Sequence, residues 1–287
     1  MRDGVSLWHE RCNWESSKNK TRTARGGVPL SIGSIGMPYG LYLSAEGAQV
    51  QSKRLEVLAN NLANVDTPGF KRDVAVFQSR LAEATQRGLD VPGSKSQNDV
   101  GGGVSFDATL TDFAPGPLRQ TGIATDVAID GDAFFVVRKG DTDHLTRAGN
   151  FMINPAGQLV TQTGDPVLSE DGGPLVISPE AGPWTITPDG CIAQGGDVTK
   201  LAMVRPASPG DLVKVGENTF RPLAAPRALE PAERRVLPGY LEASGVKPTL
   251  EMMELIEASR AYESNINMIR NHDQMMGTLI SRVLKDA

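Results

Sequence analysis

Residues 58–73 read LANNLANVDTPGFKRD, and the way this stretch ends sets the fold. Three asparagines, Asn60, Asn61 and Asn64, fall within five positions. Asparagine is a poor residue inside a helix, because its amide competes for the backbone's own partners. Thr67-Pro68-Gly69 then supplies turn chemistry. A helix arriving from upstream therefore stops here, and Asn64 suits the left-handed conformation that closes many helices.

Upstream of the asparagines the spacing is 4-3: Leu41, Ala45, Ala48, Ser52, Leu55, Ala59, Leu62. The spacing predicts a helix from about Tyr39 to Asn64, roughly 35–40 Å long at 1.5 Å per residue. Its seam is narrow and alanine-rich, which lets a partner backbone approach. The far end of the chain repeats the pattern at Met252, Leu255, Ser259, Tyr262, Ile266, Ile269, Asp273, Met276, Ile280 and Val283. Pro248 and Thr249 stand where that helix starts, with Thr249 as the expected N-cap. A seven-residue repeat with a narrow seam is the coiled-coil pattern. The competing reading is two ordinary amphipathic helices on one core. Isolated helices are marginal in water, and neither end contains strand-like segments to pack on. A buried Leu or Ile contributes ~1.5–3 kcal/mol, enough for the ends to find each other or other chains. The expectation is that they order fully only on assembly.

Between these helices the period changes. In TDVAIDGDAFFVVRKGDTDHLTRAGNFMINPAGQLVTQTGDPVL, short apolar runs alternate with DGD, KGDTD, NPAG and TGD. Asn-Pro-Ala-Gly and Thr-Gly-Asp are turn sequences, and short strands about ten residues apart imply an antiparallel β domain. The pattern continues to about residue 225, where APRALEPAERRVLPG reads as a linker.

Composition agrees with a turn-rich middle: the 287 residues include 31 glycines and 19 prolines, and aromatics make up only 5%. The net charge of −5 opposes nucleic-acid binding by phosphate neutralisation. No run approaches the ~18 apolar residues of a spanning helix. Residues 1–36 differ from the rest, with six basic and three acidic residues and two of the three tryptophans. They lack both a helical or strand period and a secretory h-region. They read as a disordered basic extension, or as residues ahead of a true start at Met37, the favoured expectation.

No catalytic, cofactor or metal site is legible. Cys12 and Cys191 are too far apart in sequence for a framework. His9, His144 and His272 lack ligand spacing. GGGVSF lacks the Lys-Ser/Thr of a phosphate loop, and the DGD and DTD aspartates lack a calcium-loop pattern.

LANNLANVDTPGFKRD closely resembles the N-terminal signature of the bacterial flagellar axial proteins, the rod and hook family. Asn60, Asn61, Asn64, Thr67, Gly69 and Phe70 fall on its motif positions. AIDGDAFFVV with LTRAGNFMINPAGQLVTQTGDPVL resembles the family's central β signature, and PGYLEASGVKPTLEMMELIEASRAYESNINMIRNHDQMM its C-terminal helix. Gly245 and Lys247 stand where asparagines are common in the family. Length and the opening MPYGLYLSAEGAQVQSKRLEVLANN are most similar to the proximal rod type, with the distal rod type close behind.

The resemblance implies a non-enzymatic structural subunit that polymerises into a helical tube. It implies export through the flagellar type III apparatus without a cleaved signal peptide, a periplasmic rod location, and contacts with its own copies and neighbouring rod or hook subunits. The expected fold is α+β: N- and C-terminal helices paired as a coiled coil with an inserted antiparallel β domain. The boundaries are 1–36 extension, 37–70 helix and turn, 71–120 extended linker region, 121–225 β domain, 226–240 linker, and 241–287 C-terminal helix. The expected subunit interface is the two seams: Leu41, Ala45, Ala48, Leu55, Ala59 and Leu62, with Met252, Leu255, Tyr262, Ile266, Ile269, Met276, Ile280 and Val283. Asn60 and Asn61 lie off the first seam. Their amides are expected to join the helix end to the Thr67-Pro68-Gly69 turn or to the next subunit, against a plainer role as solvated polar residues. The alternatives are a secreted β-rich binding module dimerised by its helices, and a cell-wall hydrolase, which the missing catalytic constellation opposes.

Overall fold

The computed structural model describes residues 39–81, 87–88, 101–178 and 181–285; the readings made of residues 1–36 and of a start at Met37 lie outside them. Within the described residues the chain is α+β, with two long helices and antiparallel sheets.

The N-terminal helix is Tyr39–Ala63, and the C-terminal helix is Pro248–Val283. The second begins earlier than its expected cap. Lys247 occupies the cap position, Pro248 follows it, and no side chain caps the end. Proline at the first helical position brings a preset φ and needs no N–H partner, so Thr249 falls inside the first turn. The helices contact each other along their length. Their directions are opposed: Asn61 meets Glu251 at one end, and Gly40 meets His272 at the other.

The N-terminal helix also packs on strands, contrary to the reading that the ends had none to use. Asp73–Ser79 and Val104–Thr111 pair as an antiparallel two-stranded sheet against it. An isolated pair of strands is marginal, and the helix supplies the third surface. Phe77 and Phe106 stack edge to face across the pair at 6.0 Å between centroids.

The β domain is built on a six-stranded antiparallel sheet. Its order is Leu212–Gly216, Thr219–Pro222, Thr142–Thr146, Phe134–Lys139, Met203–Arg205, Arg227–Ala228. The run FFVV has no polar alternation because this strand is buried on both faces. Successive side chains point to opposite sides, so Phe135 and Val137 enter one apolar cluster and Phe134 and Val136 another. In the second cluster Phe113, Phe134 and Phe220 form an aromatic triad with centroids 5.3–6.1 Å apart. The Asn-Pro-Ala-Gly turn closes the Met152–Ile153 and Leu159–Val160 pair. There the Asn154 side chain accepts from the Gln158 N–H at 2.8 Å.

The proline-rich stretch 226–240, read as a linker, carries strands. Arg227–Ala228 extends the sheet edge, and Val236–Pro238 pairs with Val127–Ile129. Tyr240–Glu242 then pairs with Leu118–Gln120. Prolines at strand ends and edges do not prevent such short pairings. The returning chain is thus stitched to the β domain on its way to the C-terminal helix.

Candidate functional site

The three sequence blocks singled out above converge on one junction, where both helices meet the β domain. Asn61 is fully buried in the last turn of its helix. Its Nδ2 donates to the Asp73 carbonyl at 2.8 Å, and its Oδ1 accepts from the Asp73 N–H at 2.9 Å. The amide thus mimics a strand neighbour for Asp73. The same Nδ2 reaches Glu251 Oε2 at 3.3 Å. Asn61 therefore ties its helix to the first strand and to the C-terminal helix of the same chain, beyond the Thr67–Gly69 turn.

Asn64 ends the helix without entering the left-handed region; among the described non-glycine residues only Glu217 and Asn218 do so. Instead its Nδ2 donates to the Asn60 carbonyl at 2.8 Å, and its Oδ1 accepts from Thr67 Oγ1 at 3.2 Å. The side chain does the capping, and the left-handed position passes to Gly69, at φ +68°. Glycine is required there twice over, since a Cβ would stand 2.5 Å from the Arg147 backbone. The Gly69 N–H donates to the Glu242 carbonyl at 2.7 Å, and the Gly245 N–H to the Phe70 carbonyl at 2.9 Å. Phe70 is buried, with the Lys214 ammonium 3.9 Å above its ring.

Beneath the turn lies a buried charge cluster. Lys71, Arg147 and Glu242 are 1%, 3% and 3% exposed, so the two cations depend on the carboxylate between them for compensation. Lys71 Nζ donates to Glu242 Oε1 at 2.7 Å and to the Ala114 carbonyl at 2.9 Å. The Gly116 N–H donates to the same Oε1 at 2.8 Å. Arg147 Nη1 lies 3.4 Å from Oε2. Burial pushes the Lys71 ammonium below the ordinary lysine value, and Glu242 pulls it partly back. Burial likewise lowers Arg147, again opposed by Glu242. One carboxylate thus holds two buried cations from different parts of the chain.

A second cluster joins the helices. Glu251 is 1% exposed and accepts from Arg72 Nε. Glu254 lies between Arg72 Nη2 at 3.4 Å and Arg54 Nη2 at 3.5 Å. His144 is buried and bonded through Nε2 to Thr142 Oγ1 at 2.9 Å.

Of the motif residues, Asn61, Gly69 and Phe70 are buried in the junction. Asn60, Asn64 and Thr67 line a groove of about 330 Å³ beside it. Of the seam residues, Ala48 is buried, and Leu41, Leu55 and Leu62 are half-buried. Ala45 and Ala59 are exposed. On the C-terminal helix Leu255, Tyr262, Ile266, Ile269 and Met276 are half-buried, while Met252, Ile280 and Val283 are exposed. The covered stripe there is centred on Glu251, Ala258, Asn265 and His272, one residue before the 4-3 series. Sequence reasoning missed Lys71, Arg147, Glu242 and Glu251. All four stand within the quoted blocks, but a charged residue carries no mark of burial. Among the described residues no group of three or more His, Cys, Asp or Glu is placed to hold a metal ion.

Comparison with known proteins matches the same three blocks. Residues 41–71 match the flagella basal body rod protein model. Residues 128–194 match the flagellar hook protein FlgE/F/G D1 domain, and residues 237–282 the flagellar basal body rod FlgEFG protein C-terminal model. The flagellar basal-body rod protein FlgF of Caulobacter vibrioides is 33% identical over 250 residues, covering 87% of this chain and 99% of the relative. The chain belongs to the flagellar basal-body rod protein family. FlgG of Bacillus subtilis is 32% identical, covering 84% of this chain and 97% of the relative. FlgG of Buchnera aphidicola subsp. Baizongia pistaciae is 33% identical, covering 83% and 97%. Membership is of the FlgF/FlgG type and makes the chain a structural rod subunit of the flagellar basal body. The rod-family models end and begin on the junction: Asn61, Gly69 and Lys71 close the first, Arg147 lies in the second, and Glu242 and Glu251 in the third. No described helix is long and apolar enough to cross a membrane.

Proposed function

We propose that this chain is a self-assembling, non-catalytic rod subunit whose helix pair closes as a coiled coil and packs with the pairs of neighbouring rod or hook subunits. The pairs build the wall of a helical tube that stays open as an export channel, with the β domain outside. Torque passes between helix pair and β domain through the buried junction at Asn61, Lys71, Arg147 and Glu242. Delivery is through the flagellar export apparatus, without a cleaved signal peptide.

One observation carries this reading: the far part of the C-terminal helix, most of it beyond Tyr39, leaves an apolar stripe uncovered by the other described residues. Met268, Met275, Leu279 and Val283, which lie on one side of the helix, are each at least half exposed. An apolar stripe open to water on one side of a helix marks an interaction surface. Purified protein examined by sedimentation and electron microscopy over rising concentration tests it. Growth without a size limit is the expected result. A finite dimer at every concentration contradicts it and supports the binding-module reading. Release of soluble fragments from peptidoglycan by the purified protein overturns its non-catalytic part.

A further inference from the structure

The two helices meet through positions that step by seven. On the N-terminal helix these are Gly40, Gly47, Arg54 and Asn61; on the C-terminal helix, running the other way, they are His272, Asn265, Ala258 and Glu251. A Cβ added at Gly47 would stand 3.1–3.3 Å from the amide of Asn265, and one at Gly40 would stand 3.0 Å from His272 Nε2. Asn61 hydrogen-bonds Glu251. By the same spacing Ala258, which is fully buried, falls level with Arg54. Each large residue thus faces a small one, and the one polar pair at the end is bonded.

We infer that this alternation is a register lock: Gly47 under Asn265, with Gly40 under His272 and Asn61 on Glu251, lets the helices pair at one offset only. The inference rests on the paired-helix reading above and names the residues that set its geometry. Leucine-rich seams are similar in every heptad and permit sliding, whereas a polar or size-matched position specifies register. A slip of seven residues in one direction brings Asn265 level with Arg54 and Asn61 level with Ala258. In that offset two long side chains meet, and Glu251, buried, loses Asn61. A slip the other way carries Asn61 past the start of the C-terminal helix and again parts it from Glu251. Asn61 cannot follow, because its amide is committed to Asp73.

The lock has a consequence for assembly. With His272 level with Gly40, the residues from Asp273 to Val283 extend beyond Tyr39, the first described residue of the N-terminal helix. That projection is roughly 15 Å at 1.5 Å per residue. Residues 277–285 are all exposed. The register therefore fixes how far this apolar end reaches toward the next subunit.

Cysteine pairs in the full chain, with Cys12 and Cys191 replaced by serine, test the inference. Gly47→Cys is combined in turn with Asn265→Cys, Ala258→Cys and His272→Cys under mild oxidation. The reciprocal set combines Asn265→Cys with Gly40→Cys or Arg54→Cys, and Gly40→Cys with His272→Cys is a second in-register pair, so that no conclusion rests on one destabilised variant. Disulfide closure needs Cα atoms within about 7 Å, so the Gly47/Asn265 and Gly40/His272 pairs should give about tenfold more intramolecular cross-link than any off-register pair. Similar yields at two or more offsets would overturn the lock and leave the helix pairing standing. No cross-link in any pair would overturn the pairing itself.

Discussion

Asn61 bonds both the N–H and the carbonyl of Asp73, at 2.9 and 2.8 Å. A helix side chain thereby fills the place of a neighbouring strand, and the helix end cannot move without freeing two backbone groups. Leaving a buried donor or acceptor unpaired costs ~1–3 kcal/mol each. Asn61→Leu, close in size, should lower the unfolding free energy by about 2–4 kcal/mol. Asn61→Asp should be at least as damaging, because it cannot donate to the Asp73 carbonyl and sets a carboxylate beside Glu251. Urea denaturation of the purified protein checks both. An Asn61→Leu protein as stable as the parent contradicts the tie.

Gly69 carries a positive φ and also touches the Arg147 backbone. Gly140 has a similar φ, +62°, with open space where a Cβ would stand. The two costs can therefore be separated. Gly140→Ala should cost about 1 kcal/mol from backbone conformation, and Gly69→Ala about 3 kcal/mol or more once the contact is added. Equal losses for the two variants would mean that the contact contributes nothing.

Glu242 is ion-paired with both Lys71 and Arg147. Removing one partner of a buried ion cluster typically costs ~3–5 kcal/mol, because the remaining charge stays buried. Glu242→Leu should fall in that range, and Lys71→Met should cost clearly less, since it leaves Glu242 with Arg147. The pH dependence has a definite sign. The folded state holds Lys71 below the ordinary value of 10.5, so just below that pH the unfolded chain binds more protons. Stability from this group then rises with pH through that window. The difference in unfolding free energy between the parent and Lys71→Met, followed from neutral to alkaline pH, should move in the parent's favour.

Stability and assembly separate along the C-terminal helix. Ala258 is fully buried, and Ala258→Leu should overpack the helix pair and cost ~1–3 kcal/mol. Ile280 is 55% exposed, so Ile280→Asp should leave the isolated subunit within about 0.5 kcal/mol of the parent. It should nonetheless abolish growth into large assemblies and motility in cells lacking the native protein. Normal motility with Ile280→Asp would remove Ile280 from the subunit interface.

Much of the architecture was legible from periodicity. The change from 4-3 spacing to short apolar runs separated the helices from the β domain, and NPAG marked its turn. Linker and seam were harder to read. Residues 226–240 looked like punctuation because their prolines and charges hide two- and three-residue strands, too short to show a period. The C-terminal stripe ran one position from the 4-3 series because its covered positions are Glu251, Asn265 and His272, which no apolar count selects. The motif's asparagines were visible as an anomaly, but the partner of Asn61 lies twelve residues on, and that of Lys71 lies 171 residues on. Such partners are fixed only by the three-dimensional convergence of the blocks.

Mass spectrometry of hook–basal bodies purified from the native organism is the measurement to make first. Peptides from both helices and from the β domain, present alongside the other rod proteins, are the expected result. Absence of this chain from intact basal bodies that retain those proteins would contradict its place in the rod.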